Sequence, residues 1–319
     1  MQSFFDPAIL FFAFGLLAGL VRSNLEIPRS IAKFLSLYLL MALGLKGGFA
    51  LSASGLNEDI LRAVGIAVAM AFLIPLLSYQ VLKTKVSRHD AAAVAASYGS
   101  VSAVTFVTAV QYLETLSLGP NSYMAIALIL MESPAIIVAV LLSNTLRNQA
   151  SNSTVALSAK KVLHESFTDG AHLLLLGSMA IGYLSGDTGK AVMQPFSGDL
   201  FKGMLAFFLL DMGLVVARTL QDTRGNSKVL IAYATVAPFV HAVIALGICL
   251  TLGVELSDTI LLMVLSASAS YIVVPAVLRY AIPEANPSIY FGLSIGVTFP
   301  INILIGIPVY TQLAVWATK

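Results

Sequence analysis

The sequence predicts an all-α integral membrane protein of about ten transmembrane helices, laid out as two inverted five-helix repeats with broken, crossing helices in the fourth and ninth positions. Three observations carry that reading. Of 319 residues, 58% are hydrophobic and 11% charged, against about a quarter charged in a soluble domain, and the mean hydropathy is +0.90. The apolar residues fall in continuous runs, which excludes an outer-membrane barrel of alternating strands; at ~20 residues per crossing the chain holds about ten such runs. A Ser- and Asn-rich stretch, 148–169, separates five runs from five and reads as a linker. Five crossings on each side give the halves opposite orientations, the arrangement of many secondary transporters.

The first run, Ala8 to Val21, is preceded by Asp6 and no basic residue. It therefore lacks the positive segment of a secretory signal and is read as a retained first helix. Runs at 31–45, 60–82, 91–113 and 121–146 complete the first repeat, residues 1–147. Runs at 171–186, 201–217, 228–252, 257–280 and 286–315 make the second, residues 170–319. The first, second, sixth and seventh are short for a crossing. The segments after runs 1, 3, 5, 7 and 9 hold Arg22, Arg29, Lys33, Lys83, Lys85, Arg88, Arg147, Lys160, Lys161, Arg218, Arg224, Lys228 and Arg279, most of the 18 basic residues. The other side holds Lys46, Arg62, Lys190, Lys202 and Lys319. Basic residues favour the cytoplasmic face, so the linker is expected inside and both termini outside a plasma membrane such as the bacterial inner membrane. A net charge of +2 carries no sign of a nucleic-acid partner, and the lone Cys249 precludes an intramolecular disulfide.

The halves resemble each other. Leu37 to Gly48 in the second run matches Phe207 to Arg218 in the seventh through its LL and GL pairs. Ser100 to Tyr112 in the fourth matches Ser268 to Tyr280 in the ninth through a Ser-x-Ser start, a β-branched centre and a terminal Tyr. Pro134 and Pro300 sit mid-run in the fifth and tenth. Runs 4 and 9 contain "SYGSVSAVT" and "LSASASYIVVP", where Gly99 or Pro275 can break a helix. Irregular backbone at membrane depth is tolerated only where it lines a cavity. Two such breaks present half-helix N–H groups and the hydroxyls of Ser100, Ser102, Ser268 and Ser270 to an anion, and freed carbonyls to a cation. The alternative is that small residues merely let helices pack closely.

Two carboxylates, Glu132 and Asp211, fall inside apolar runs, where an ionised group costs roughly 2.5–3.5 kcal/mol at helix centre. Glu132 precedes Ser133 and Pro134, and a proline frees a nearby carbonyl; this set suits Na⁺ or a proton, or else a buried structural carboxylate. Thr298 and Asn302 flank the counterpart Pro300 and complete a cation shell or brace a kinked helix. Asp211 lacks that context and suits a gating or subunit contact. His172 and His241 have no partners at ligand spacing. No phosphate-binding loop, HExxH or GxSxG is present, so neither an ATP-driven transporter nor an enzyme is expected, and no cofactor beyond a coupling ion.

The segments Glu26 to Gly48, Ser97 to Ala109, Met131 to Leu142, Leu209 to Arg218 and Ser266 to Tyr310, the last with IPEANPS joining runs 9 and 10, resemble the sodium-dependent bicarbonate permease family of the SbtA type. The resemblance spans nearly the whole chain. It implies a core domain and a gate domain, assembly as a homotrimer in the lipid bilayer, and inward symport of bicarbonate with Na⁺ by alternating access. It places the substrate at Ser97, Tyr98, Gly99, Ser100, Ser102, Ser266, Ser268, Ser270 and Tyr271, and Na⁺ near Thr105, Glu132, Thr298 and Asn302. Bicarbonate importers of photosynthetic bacteria often bind a PII-like regulator through a longer central cytoplasmic segment; here that segment is short. The competing readings are a Na⁺- or H⁺-coupled carrier of an organic anion, whose pocket would have to be large, and a passive anion channel.

Overall fold

The computed structural model describes residues 7–55, 58–119, 121, 123–149, 170–223, 228–271 and 273–318. Nearly all of the linker lies outside them, as do the side chains of Ser133, His172 and Arg279. The described residues form helices and no strand. In chain order these are α1 (Pro7–Leu20), α2 (Arg29–Ser54), α3 (Glu58–Leu82), α4 (Arg88–Gly99), α5 (Ala103–Thr115) and α6 (Met124–Gln149). After the linker come α7 (Gly170–Gln194), α8 (Leu200–Thr223), α9 (Lys228–Leu252), α10 (Leu256–Ala267), α11 (Val273–Ala281) and α12 (Pro287–Ala317). Each of the ten apolar runs coincides with one helix or, for the fourth and ninth, with two half-helices. Among the described residues, six helical stretches are long and apolar enough to cross a membrane, and Pro7–Leu20 and Leu256–Ala267 are shorter apolar helices. The stretch Leu173–Thr219, 47 residues long, has the length of two crossings.

Two of the short runs extend further than their hydropathy suggests. Helix α2 continues past residue 45 to Ser54, because Gly48 packs backbone to backbone on α7: a Cβ there would stand 2.1 Å from the Met179 carbonyl oxygen. Small residues lower hydropathy yet permit this close approach. The sixth run ends at Gly186, and there α7 is kinked, with Gly186 at φ 53° and ψ −143°.

Helices α1, α2, α7 and α8 form one layer, in which α1 packs along α8 and α2 along α7. Helices α3, α4 and α6 pack together beside α9, α10 and α12. Helix α12 contains two π-helical stretches, Ser294–Thr298 and Asn302–Gly306. Pro300 and Pro308 cannot donate to the carbonyls four residues back, Gly296 and Leu304, so the regular α-ladder is interrupted within both stretches.

Candidate functional site

Both breaks are built by the same local chemistry. Helix α4 is capped by Ser87, whose Oγ accepts from the Asp90 N–H at 3.0 Å. It ends at Gly99, where an added Cβ would stand 2.4 Å from Cγ of Pro75 on α3; glycine is required there by close approach. Ser100 then leaves the helix in an extended conformation (φ −93°, ψ −176°), and Ser268 does the same after α10 (φ −82°, ψ 167°). The second serine of each Ser-x-Ser starts the next half-helix. Ser102 Oγ accepts from the Thr105 N–H at 3.2 Å and from the Thr105 hydroxyl at 3.0 Å, and Ser270 Oγ accepts from the Val274 N–H at 3.3 Å. Hydroxyls in this place satisfy first-turn N–H groups that have no helical partner.

The breaks interlock. Ser270 donates its N–H to the Ser97 carbonyl at 2.8 Å, and Ser102 donates its N–H to Ser268 Oγ at 3.0 Å, which in turn donates to the Leu265 carbonyl at 2.8 Å. Helix α12 braces the crossing twice. Asn302 Nδ2 donates to the Ala267 carbonyl at 2.8 Å, one of the unpaired carbonyls at the end of α10, while its Oδ1 accepts from the Tyr310 hydroxyl at 2.8 Å. The Thr298 hydroxyl donates to the Ala234 carbonyl at 2.8 Å, so across the 2.6 Å Tyr98–Thr298 contact the tyrosine must be the donor.

The far ends of α4 and α10 are held alike. Asp90 and Asp258 are each the third residue of their half-helix. Asp90 Oδ1 accepts from the Asn286 N–H at 2.7 Å, and Asp258 accepts from Asn121 Nδ2 at 3.1 Å and from the Tyr123 hydroxyl. In both cases the partner comes from the other half of the chain, from the segment just before α12 for Asp90 and just before α6 for Asp258.

A cavity of about 60 Å³ lies against the crossing. Val101, Ser102, Ala103, Val104 and Val107 line it from the first break and α5, Ser270 and Tyr271 from the second, and Leu128, Ile129 and Glu132 from α6. Its opposite wall is Ser36, Leu39 and Leu40 of α2, Leu175 of α7 and Phe208 of α8. The hydroxyls of Ser100 and Ser266 are buried and have no hydrogen-bond partner among the described residues, and the buried Tyr271 hydroxyl is directed at Ser102. Leaving such a group unpaired costs about 1–3 kcal/mol, and buried polar groups nearly always have protein or water partners. Of the residues expected at the site, Ser102, Ser270, Tyr271 and Glu132 therefore share the cavity wall. Ser97, Tyr98, Gly99, Ser100, Thr105, Ser266 and Ser268 are in or beside the crossing, and Thr298 and Asn302 support it from α12. Asp211 is buried on α8 and is not part of the cavity wall. Among the described residues, the buried His241 has no partner for Nδ1, and no three His, Cys, Asp or Glu side chains group as metal ligands.

Sequence reading missed the support of Asn302 by Tyr310 and the two aspartates at the outer ends of the half-helices. Asp90 and Asp258 do carry a signal, since each sits ten residues before the first serine of its Ser-x-Ser.

Two interlocked pairs of half-helices, with hydroxyls at their crossing and membrane-length helices around them, are the architecture of a multi-pass membrane transporter. The chain belongs to the Na⁺-dependent bicarbonate transporter superfamily, whose family model matches residues 7–315. No curated protein matches the chain closely enough to count as a relative.

Proposed function

We propose that the protein is a Na⁺-coupled symporter that imports bicarbonate, or an anion of similar size, by alternating access. The observation that carries this reading is the pair of buried hydroxyls, Ser100 and Ser266, without a partner among the described residues, at the crossing beside a small cavity that Ser102, Ser270, Tyr271 and Glu132 line. At about 10–15 Å³ per water-sized occupant, a cavity of about 60 Å³ has room for about four to six such groups, which favours a small anion.

An anion leaving water needs donors and nearby positive charge, because an unpaired buried ion costs several kcal/mol. In this reading the donors are hydroxyls and the first amides of α5 and α11, and the positive charge is Na⁺ itself. Glu132 supplies the charged oxygen that a hard cation prefers. Thr105, Thr298 and Asn302 act as further oxygen ligands or fix the carbonyls that do. The equivalent roles of Ser100 and Ser268, of Ser102 and Ser270, and of Asp90 and Asp258 support two inverted repeats. The two-sided cavity wall supports alternating access, with α1, α2, α7 and α8 as gate and the remaining helices as core. A trimer with both termini outside belongs to the same reading.

If Na⁺ and the anion share this site, each strengthens the other by the same factor. Titration calorimetry of purified protein with bicarbonate, at zero and at saturating Na⁺, is expected to show much tighter binding with Na⁺. Equal affinities would reject the shared site.

A further inference from the structure

Three helices meet beyond one end of the cavity. Lys46 of α2 places Nζ 3.6 Å from Glu114 Oε1 of α5 and 4.3 Å from the ring centroid of Phe201 on α8. Each of these residues is seven positions from a cavity-lining residue on its own helix: Leu39 for Lys46, Val107 for Glu114 and Phe208 for Phe201. Seven residues are about two turns, or ~10 Å of helix, so three independent helices put this contact at one common height above the cavity. The ion pair joins α2 of the gate to α5 of the core, whereas the cation–π contact stays within the gate. The side chains are 22% and 35% exposed, so water reaches the pair.

We propose that Lys46 and Glu114 are positioning residues for transport, a clasp that closes the pathway on this side of the cavity and opens when the core moves against the gate. This rests on the transporter reading. A shift of one helical turn, ~5.4 Å, would carry Glu114 out of reach, leaving Lys46 held at the gate by Phe201. The clasp thereby favours the state seen here over the state open on its own side. A partly exposed ion pair moves such a two-state balance by about two- to fivefold.

The test reads opening directly, without transport. In a Cys249→Ala background, Val104→Cys on the cavity wall is modified by a membrane-impermeant thiol reagent applied to either side of reconstituted membranes. Glu114→Gln is expected to raise the rate from the clasp side about two- to fivefold, and the paired exchange Lys46→Glu with Glu114→Lys to return it towards the parent. Raising the salt from 0.05 to 0.5 M is expected to speed modification in the parent, where the exposed pair is screened, and to leave Glu114→Gln unchanged. This arm holds even if the charge exchange fails to fold. Unchanged rates in both Glu114→Gln and high salt would overturn the clasp. Because uptake is not the readout, a clasp effect without Na⁺-driven transport would reject the symport reading alone.

Discussion

Removing one hydroxyl, that of Ser102, separates the structural and binding roles of the crossing. Ser102 Oγ accepts two hydrogen bonds from Thr105, so its own proton is not used in either, and the residue lines the cavity. Ser102→Ala should therefore have two effects. Loss of the cap on α5 costs about 1 kcal/mol, a fall in unfolding temperature on the order of 2 °C. Loss of a donor to an ionised ligand costs about 1.5–3 kcal/mol, which weakens bicarbonate binding about tenfold to a hundredfold. Thermal unfolding of purified protein across a bicarbonate series at saturating Na⁺ reads both, since ligand stabilisation follows the ratio of concentration to Kd. Thr108→Ala is the control, because the Thr108 hydroxyl donates to the Val104 carbonyl within the same helix at 2.8 Å. If Ser102→Ala keeps the bicarbonate-induced stabilisation of the control, the hydroxyl does not face the ligand and the assignment is wrong.

Two further substitutions probe the backbone and the coupling ion. Gly99→Ala drives a methyl against the Pro75 ring at 2.4 Å, and overpacking of this kind costs about 1–3 kcal/mol; a fall in unfolding temperature that Pro75→Ala partly reverses is expected, and a fully stable Gly99→Ala would contradict the packing argument. Glu132→Gln should reach the membrane at parental levels yet lose most Na⁺ dependence of bicarbonate uptake; retention of the parental Na⁺ dependence would make Glu132 a structural carboxylate.

The parts of this molecule that are local in sequence were legible in it. Gly99 does end α4, but Pro275 falls in the first turn of α11, where proline is tolerated, and the second break comes earlier, at Ser268 to Ser270; the second serine of each Ser-x-Ser caps an amide within four residues. The doubled pattern then points to two breaks. Partners far apart in the chain left no such mark: Ser102 to Ser268, Asn302 to Ala267 and Lys46 to Glu114 are tertiary contacts that hydropathy does not encode. Hydropathy also misjudged α2, whose glycines lower the average while tightening its packing on α7. The chemistry of Glu132 could be read from its cost in an apolar run, but its place on the cavity wall depends on how α6 packs against both breaks. Thr298 and Asn302 lie on α12, and their hydrogen bonds to the Ala234 and Ala267 carbonyls are likewise contacts between residues far apart in the chain.

In the proposed symport the Na⁺ gradient drives accumulation of the anion through the crossing. Purified protein in proteoliposomes, supplied with labelled bicarbonate and either an inward Na⁺ gradient or equal Na⁺ on both sides, tests it most directly. Accumulation above the outside concentration is expected only with the gradient, collapsing when an ionophore dissipates it. Equilibration at the same rate and to the same level in both conditions would identify a passive pathway and contradict symport.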